Sequence, residues 1–303
     1  MQQRQSFFES RPPNRRLIIL CLLLPLIWSP PAGAETAGPA FWKVEGGQED
    51  LWLFGTFHLL PTGTNWRRAK INRSLAAADR LVLEAPIDQV GPNALLGLME
   101  KYGLYGRNKT LWDVLNAEDA IQVRSFAAKL GLPAIVLQSM RPWLAYVSLT
   151  QQYALAQGLR PDQGVDLQLA RDSRSNGQKI LYFETIEQQL AMLSSPSEAE
   201  QIAILRITLD QLNAMPDAFT QLFNAWIDGD VDTLADLIAE GREQAPGFWD
   251  ALFTQRNTAW VEAIHNFLKD DKSYFIAVGA GHLVGDGSVV DLLRAKGYRV
   301  KRQ

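Results

Sequence analysis

Leu51-Trp52-Leu53-Phe54-Gly55-Thr56-Phe57-His58 and Tyr274-Phe275-Ile276-Ala277-Val278-Gly279-Ala280-Gly281-His282 decide how this chain is read. Each is a short, apolar, β-prone run that stops at Gly-x-x-His. A run of this kind, bounded by a breaker, is the pattern of a strand buried on both faces. Glycine after such a strand lets the backbone turn sharply or approach a ligand closely. The histidine then stands at the carboxyl lip of the strand, where open α/β sheets bind ligands. The chain holds 3 histidines, and two of them fall in these equivalent places. The two runs are therefore expected to lie close together and to form one site.

Working outward, Phe41 to Glu45 reads as a strand, with 46–50 as a five-residue turn into Leu51. That makes an antiparallel hairpin. Thr64 or Asn65 caps a helix expected to run to about Asp79, and Arg80-Leu81-Val82-Leu83-Glu84 is a strand cut off by Pro86. Helical patterns cover about 92–102, a helix capped by Asn116, then about 139–157 and 164–175. Lys179 to Glu184 is another strand. Ser195-Pro196-Ser197-Glu198 has the form of a capping box with proline at the first helical position. Further helices are expected over 216–228, 231–240 and 246–269, then a helix over 288–296 and a short final strand from Tyr298. The fold class is mixed α/β (α+β): a central mixed sheet with large helical insertions between strands, the mostly helical region lying at about 88–270.

At 303 residues, with 47% hydrophobic and 21% charged residues, the chain can bury a sizeable core. Its beginning differs from the rest. Arg11, Arg15 and Arg16 precede an apolar stretch from Leu17 to Trp28, followed by Ala32-Gly33-Ala34. A basic flank, a short apolar core and an A-x-A site are the marks of a secretory signal over 1–34, with cleavage after Ala34; an uncleaved amino-terminal anchor is the alternative. The stretch is short of the roughly 20 residues a membrane span needs, and no later stretch reaches that length. Cleavage would leave residues 35–303 as a periplasmic or secreted body. Cys21, the only cysteine, would go with the signal. The formal charge would move from −3 to −6, because four arginines and one glutamate are lost. An acidic body without a basic stripe argues against a nucleic-acid partner.

His58, Glu84, Glu184 and His282 close the four most apolar strand candidates. If those strands run parallel, two imidazoles and two carboxylates meet at one rim of the sheet. Such N and O donors suit zinc, manganese, iron or cobalt. A catalytic metal takes about three protein ligands and keeps one position open for water. His58, His282 and Glu84 fill that quota, and Glu184 could act as base or orient a ligand. A strand-end histidine can equally be a simple hydrogen-bonding residue, and strand-end carboxylates often pair with arginine or cap a helix. Arg256, with Asn257 beside it and Trp260 a turn further, is a candidate for stabilising an oxyanion or pairing with a site carboxylate. Arg141 and Asp166 each begin a helix; helix initiation explains them as well as a place in the site does. His265 sits mid-helix and reads as structural. The glycines of 279–285 do not have dinucleotide-loop spacing, and there is no P-loop or Gly-x-Ser-x-Gly elbow.

These blocks resemble the TraB/PrgY/GumN family, which is similar to the Tiki proteases and more distantly to erythromycin-esterase-like and ChaN-like proteins. The resemblance rests on Gly55 to Pro61, Leu83-Glu84, Arg141-Pro142-Trp143, Gly164-Val165-Asp166, Glu184-Thr185 with Gln188-Gln189-Leu190, Arg256-Asn257 and Val278 to Gly285, in that order. It implies an α/β fold with both Gly-x-x-His motifs at one centre. The wider group includes esterase-like, haem-binding and pheromone-shutdown members, so the resemblance leaves the reaction open. In the Tiki relatives that centre supports metal-dependent peptide-bond cleavage, which makes His58, His282 and Glu84 the metal-site or catalytic candidates here. The expected function is thus an exported, metal-dependent hydrolase, peptidase-like, acting on a peptide or small-molecule substrate through a divalent metal (Zn, Mn or Co). The alternatives are a metal-independent, esterase-like hydrolase with histidine as general base, and an exported protein that only binds a peptide, a haem or an envelope component.

Overall fold

In the computed structural model, which describes residues 38–214 and 217–303, the two Gly-x-x-His strands are hydrogen-bonded neighbours. The strands are β1 (Phe41–Glu45), β2 (Leu51–Thr56), β3 (Leu60–Pro61), β4 (Arg80–Leu83), β5 (Leu159–Arg160), β6 (Lys179–Tyr182), β7 (Tyr274–Gly279) and β8 (Arg299–Arg302). Six of them form a mixed sheet in the order β6-β4-β7-β2-β1-β8. The first four in that order run parallel, and β1 and β8 are antiparallel additions at one edge. The last parallel strand of the chain is thus inserted between two of its earliest. Leu51 pairs with Tyr274 and Thr56 with Gly279, so the two strands end level.

Burial explains why these runs take the centre. Every residue of β2 is buried, as are the first five of β7. Phe41, Phe54 and Phe275 pack ring on ring with centroids 5.8 to 6.2 Å apart, and Trp66 stacks on Phe54 at 5.6 Å. Each such side chain contributes about 1.5–3 kcal/mol by leaving water. Exposing either strand would forfeit several of these terms at once. The edge strand β6 is only half-buried. A second apolar cluster lies among helices Ala117–Lys129, Pro142–Ala156 and Glu198–Ala214, built on Phe126, Trp143, Leu149 and Leu209.

Several boundaries depart from the expectation. The helix after β3 begins at Ala69, because Trp66 is used in the lead-in, against Phe54. The capping box before the helix at Glu198 is centred on Ser197, not Ser195: the Ser197 N–H and hydroxyl both reach Glu200, and the Glu200 N–H returns to Ser197. That register satisfies both ends of the box, so Pro196 stays outside the helix. The long helix expected over 246–269 is broken by a wide turn at Asp250–Thr254 before Gln255–Phe267 begins. Turns of this kind often mark functional sites, and this one lies beneath Arg256. The two-stranded pairing of β3 with β5 was not anticipated. It ties the chain just after His58 to the loop just before Gly164.

That tie brings two backbones into contact. The Val165 N–H donates to the Phe57 carbonyl at 3.0 Å. A Cβ on Gly164 would lie 2.3 Å from the His58 carbonyl oxygen, inside any allowed contact. Only glycine lets helix Val165–Ser175 start where it does. Gly164→Ala is expected to push the helix off the end of β2 and to cost about 1–3 kcal/mol. Denaturant melts of the full chain check this; an unchanged midpoint would mean that the close approach is not needed.

Candidate active site

The carboxyl ends of β2, β4, β6 and β7 deliver His58, Glu84, Glu184 and His282 to one place, and Gly279 is its floor. A Cβ there would sit 3.2 Å from Glu84 Oε1, 3.4 Å from His58 Nε2 and 3.7 Å from His282 Cδ2. The three side chains therefore surround a single point above the strand end. A methyl group would fill the space between them.

His58 is held from behind. Its Nδ1–H donates to Asp166 Oδ2 at 2.7 Å, and the Thr56 hydroxyl donates to Asp166 Oδ1 at 2.7 Å. A carboxylate can only accept, so Nδ1 carries the proton and Nε2 faces the site. The Asp166 charge beside the ring raises the His58 pKa above its ordinary value, against the cost of enclosing it, with Glu84 adding to the rise. Because 60% of the side chain is open to solvent, water in the cleft screens part of that pull.

His282 is the reverse case, 5% exposed between Phe253 and Trp260, with ring centroids 4.8 and 4.4 Å away. The Asn257 amide nitrogen donates to the Gly287 carbonyl at 2.9 Å, which turns its oxygen toward His282 Nδ1 at 2.6 Å. Nδ1 thus bears the hydrogen, and Nε2 accepts from Arg256 Nη1 at 3.0 Å. Burial, together with the neighbouring positive charge, depresses the His282 pKa to about 3, over the opposing pull of Glu84. The ring is neutral in one tautomer.

Arg256 sits at the hub, 9% exposed. Nε and Nη2 make a fork to Glu184 at 2.8 and 3.0 Å, Nη2 also reaches Glu84 at 2.6 Å, and Nη1 reaches the Leu252 carbonyl and His282. All five guanidinium hydrogens are thereby used. The oxyanion role considered for Arg256 would require it to release one of these partners. Trp260 stacks under the guanidinium at 4.6 Å and donates its Nε1–H to Glu184. Glu84 accepts from Arg256 through Oε2 and from the Gly279 N–H through Oε1 at 2.7 Å. Burial opposes its ionisation, but the surrounding positive groups and this amide outweigh burial and hold its pKa well below the usual carboxylate range.

The metal set expected from the sequence meets a geometric obstacle. Both nitrogens of His282 are engaged, which leaves His58 Nε2 and Glu84 Oε1 as the donors facing the floor. Among the described residues, no three His, Cys, Asp or Glu side chains are placed to hold one ion together. As arranged, these residues do not fit a three-ligand metal centre. Of the remaining candidates, Asp166 enters the site as the partner of His58. Arg141 does not: its Nε donates to the Leu104 carbonyl and its guanidinium lies over Tyr105. His265 pairs with the Tyr298 hydroxyl, away from the site. Thr56 went unnoticed in the sequence, and a threonine inside an apolar strand offers no signal of its use.

With this geometry in view, comparison with known proteins assigns the chain. It matches the TraB/PrgY/gumN family over residues 40–302 and belongs to that family. It is 23% identical to the uncharacterized protein YbaP of Escherichia coli (strain K12), across 88% of this chain and 97% of that protein. It is 24% identical to metalloprotease TIKI1 of Homo sapiens, across 45% of this chain and 32% of that one. The TIKI1 metalloprotease of Danio rerio is 21% identical, across 89% of this chain and 65% of its own length. No solved structure matches.

The two imidazoles are expected to titrate in opposite directions. Unfolded, His282 takes a proton near its ordinary pKa; folded, only near 3. Between those values the unfolded state binds the extra proton, so this contribution to stability is complete above about 6.5 and is lost as pH falls toward 3. Two-dimensional 15N NMR of the imidazoles should show His282 in the neutral Nδ1–H form at pH 5, while His58 becomes neutral only above its ordinary range. A protonated His282 at pH 5 would contradict the tautomer assigned.

Proposed function

We propose that the protein is a hydrolase of acyl bonds, peptide bonds foremost, with His58 as general base and Asp166 as its orienting partner. The observation that carries this reading is His58 Nε2 facing Glu84 Oε1 across the bare backbone of Gly279, with Nδ1 anchored on Asp166. In the proposed step, neutral His58 takes a proton at Nε2 from a water as the water oxygen bonds to the acyl carbon. Asp166 stabilises the imidazolium that results. The proton then passes to the departing nitrogen as the C–N bond breaks, giving an acid and an amine. Glu84, held ionised, accepts a hydrogen bond from the second O–H of the water, which stays on the oxygen, and so orients it. Arg256, Glu184 and His282 hold Glu84 in place. Because Asp166 raises the His58 pKa, the fraction of His58 able to act as base grows with pH.

A metal-assisted form is the second reading. The name metalloprotease on the TIKI relatives favours it, as does the charge of the cluster: Glu84, Glu184 and Asp166 against Arg256 and protonated His58 leave one net negative charge. It would require Arg256 to let go of His282 Nε2. We also propose that residues 1–34 are an export signal. They lie outside the described residues, and no helix among the described residues is long and apolar enough to cross a membrane.

Turnover of a proteome-derived peptide mixture, read by mass spectrometry, tests the reaction. His58→Ala is expected to lower kcat/KM by about 10²–10⁴-fold with the circular dichroism unchanged. Asp166→Asn should lower kcat and move the rising limb of the pH profile to lower pH. Full turnover by His58→Ala would remove the proposal. The same assay after chelation, with elemental analysis of untagged protein, separates the readings: metal, turnover and thermal midpoint lost together support the metal-assisted form. Amino-terminal sequencing of protein recovered from outside the cytoplasm should begin at Glu35, and an intact amino terminus there would exclude cleavage.

A further inference from the structure

Asp166 gives both of its oxygens to the end of one strand. Oδ2 accepts from His58 Nδ1–H and Oδ1 from the Thr56 hydroxyl, each at 2.7 Å. Thr56 closes β2 and His58 follows two positions later, so the two side chains leave the strand end on one side and a single carboxylate spans them. Thr56 is 1% exposed, and the other side chains of β2 are all apolar. A valine there would have the same branched shape and would bring no hydroxyl to desolvate. Packing alone does not explain the hydroxyl.

Nor does the joining of two segments, because the main chain already places both ends of the bond. Thr56 is fixed by its pairing with Gly279 in the sheet. The start of helix Val165–Ser175 is fixed by the Val165 N–H on the Phe57 carbonyl and by the approach of Gly164 to the His58 carbonyl. Asp166 lies in the first turn of that helix, where a carboxylate is ordinarily drawn to the helix's own N–H groups. Its oxygens turn to β2 instead. What the main chain leaves free is the rotation of the carboxylate about its bond to Cβ, which is a soft torsion. With Oδ1 held by Thr56, Oδ2 is left in front of His58 Nδ1.

We infer that Thr56 is a positioning residue: its hydroxyl holds the Asp166 carboxylate in the rotation that keeps His58 in the Nδ1–H form, with Nε2 toward the cleft. Thr56 acts through Asp166 and touches no substrate. The inference rests on the reading of His58 as general base, but the tautomer that Thr56 sets can be observed without turnover.

Three variants of the full chain test it. Thr56→Val removes the donor and keeps the shape, so that no water takes the vacated place. Thr56→Ser restores the donor. Thr56→Cys, a weak donor, is read in the same way as Thr56→Val should the valine variant not fold. Two-dimensional 15N NMR of the His58 ring, at a pH high enough to make it neutral, should show the Nδ1–H form in the wild type and in Thr56→Ser, and a mixture of both tautomers in Thr56→Val. Turnover is read on the peptide that the wild type cleaves fastest from the proteome-derived mixture. There Thr56→Val should lower kcat by about 5- to 50-fold and leave KM within about 2-fold, with Thr56→Ser close to the wild type. A single Nδ1–H tautomer in Thr56→Val, an unchanged kcat, or no rescue by Thr56→Ser would overturn the inference. Tautomer mixing in Thr56→Val that Thr56→Ser reverses, without any cleavage by the wild type, would uphold it while removing the hydrolase reading. Cleavage that needs His58 but not the Thr56 hydroxyl would do the opposite.

Discussion

The guanidinium of Arg256 has five hydrogens and no spare one. That constraint organises the carboxyl rim of the sheet. One planar group ties Glu84 after β4, Glu184 after β6 and His282 after β7 to the wide turn at Asp250–Thr254. In a poorly solvated setting each charge needs the others: removing one partner from a buried pair is far more costly than the pair's net worth. The arrangement also fixes what His282 can be. A charged imidazole 3.0 Å from a guanidinium would be repelled, so the ring stays neutral and offers its lone pair. The tautomer follows from Asn257, and the Asn257 orientation from the Gly287 carbonyl.

The two Gly-x-x-His motifs are therefore equivalent in sequence and unlike in chemistry. His58 has a carboxylate behind it and water in front. His282 has aromatic rings on both sides and an arginine in front. The difference lies in what packs behind each strand end. Helix Val165–Ser175 brings an acid to one, and helix Gln255–Phe267 brings an amide and a cation to the other. A motif of four residues says where a side chain stands but not what faces it.

The two glycines that matter most act by what they omit. Gly164 lets two backbones touch, so that Asp166 reaches His58. Gly279 leaves open the small space that His58, Glu84 and His282 surround. Around this polar centre the walls turn apolar within one side chain's length, from Glu84 to Leu83 and from Asp166 to Leu167. The buried contacts of Arg256 with Glu84 and Glu184 gain strength from these low-dielectric walls, while the solvent-open His58 stays screened.

Much of this was legible in the chain. The runs at 51–58 and 274–282 announced themselves as central strands because only full burial on both faces makes unbroken apolar runs favourable. Four ionisable residues at four strand ends marked the rim, and the hairpin and the Asn116 cap followed from local chemistry. Asp166 could not be told from a helix starter, since the same carboxylate suits either task. Only the tertiary structure joined it to His58, through a two-stranded pairing and a glycine contact that span about a hundred residues. It alone gave the two histidines opposite surroundings and set Arg256 against both glutamates. Hydrophobic period and strand termination are properties of neighbours along the chain and can be read there. Protonation, tautomer and donor counts depend on groups brought from distant segments, and folding decides which of those meet.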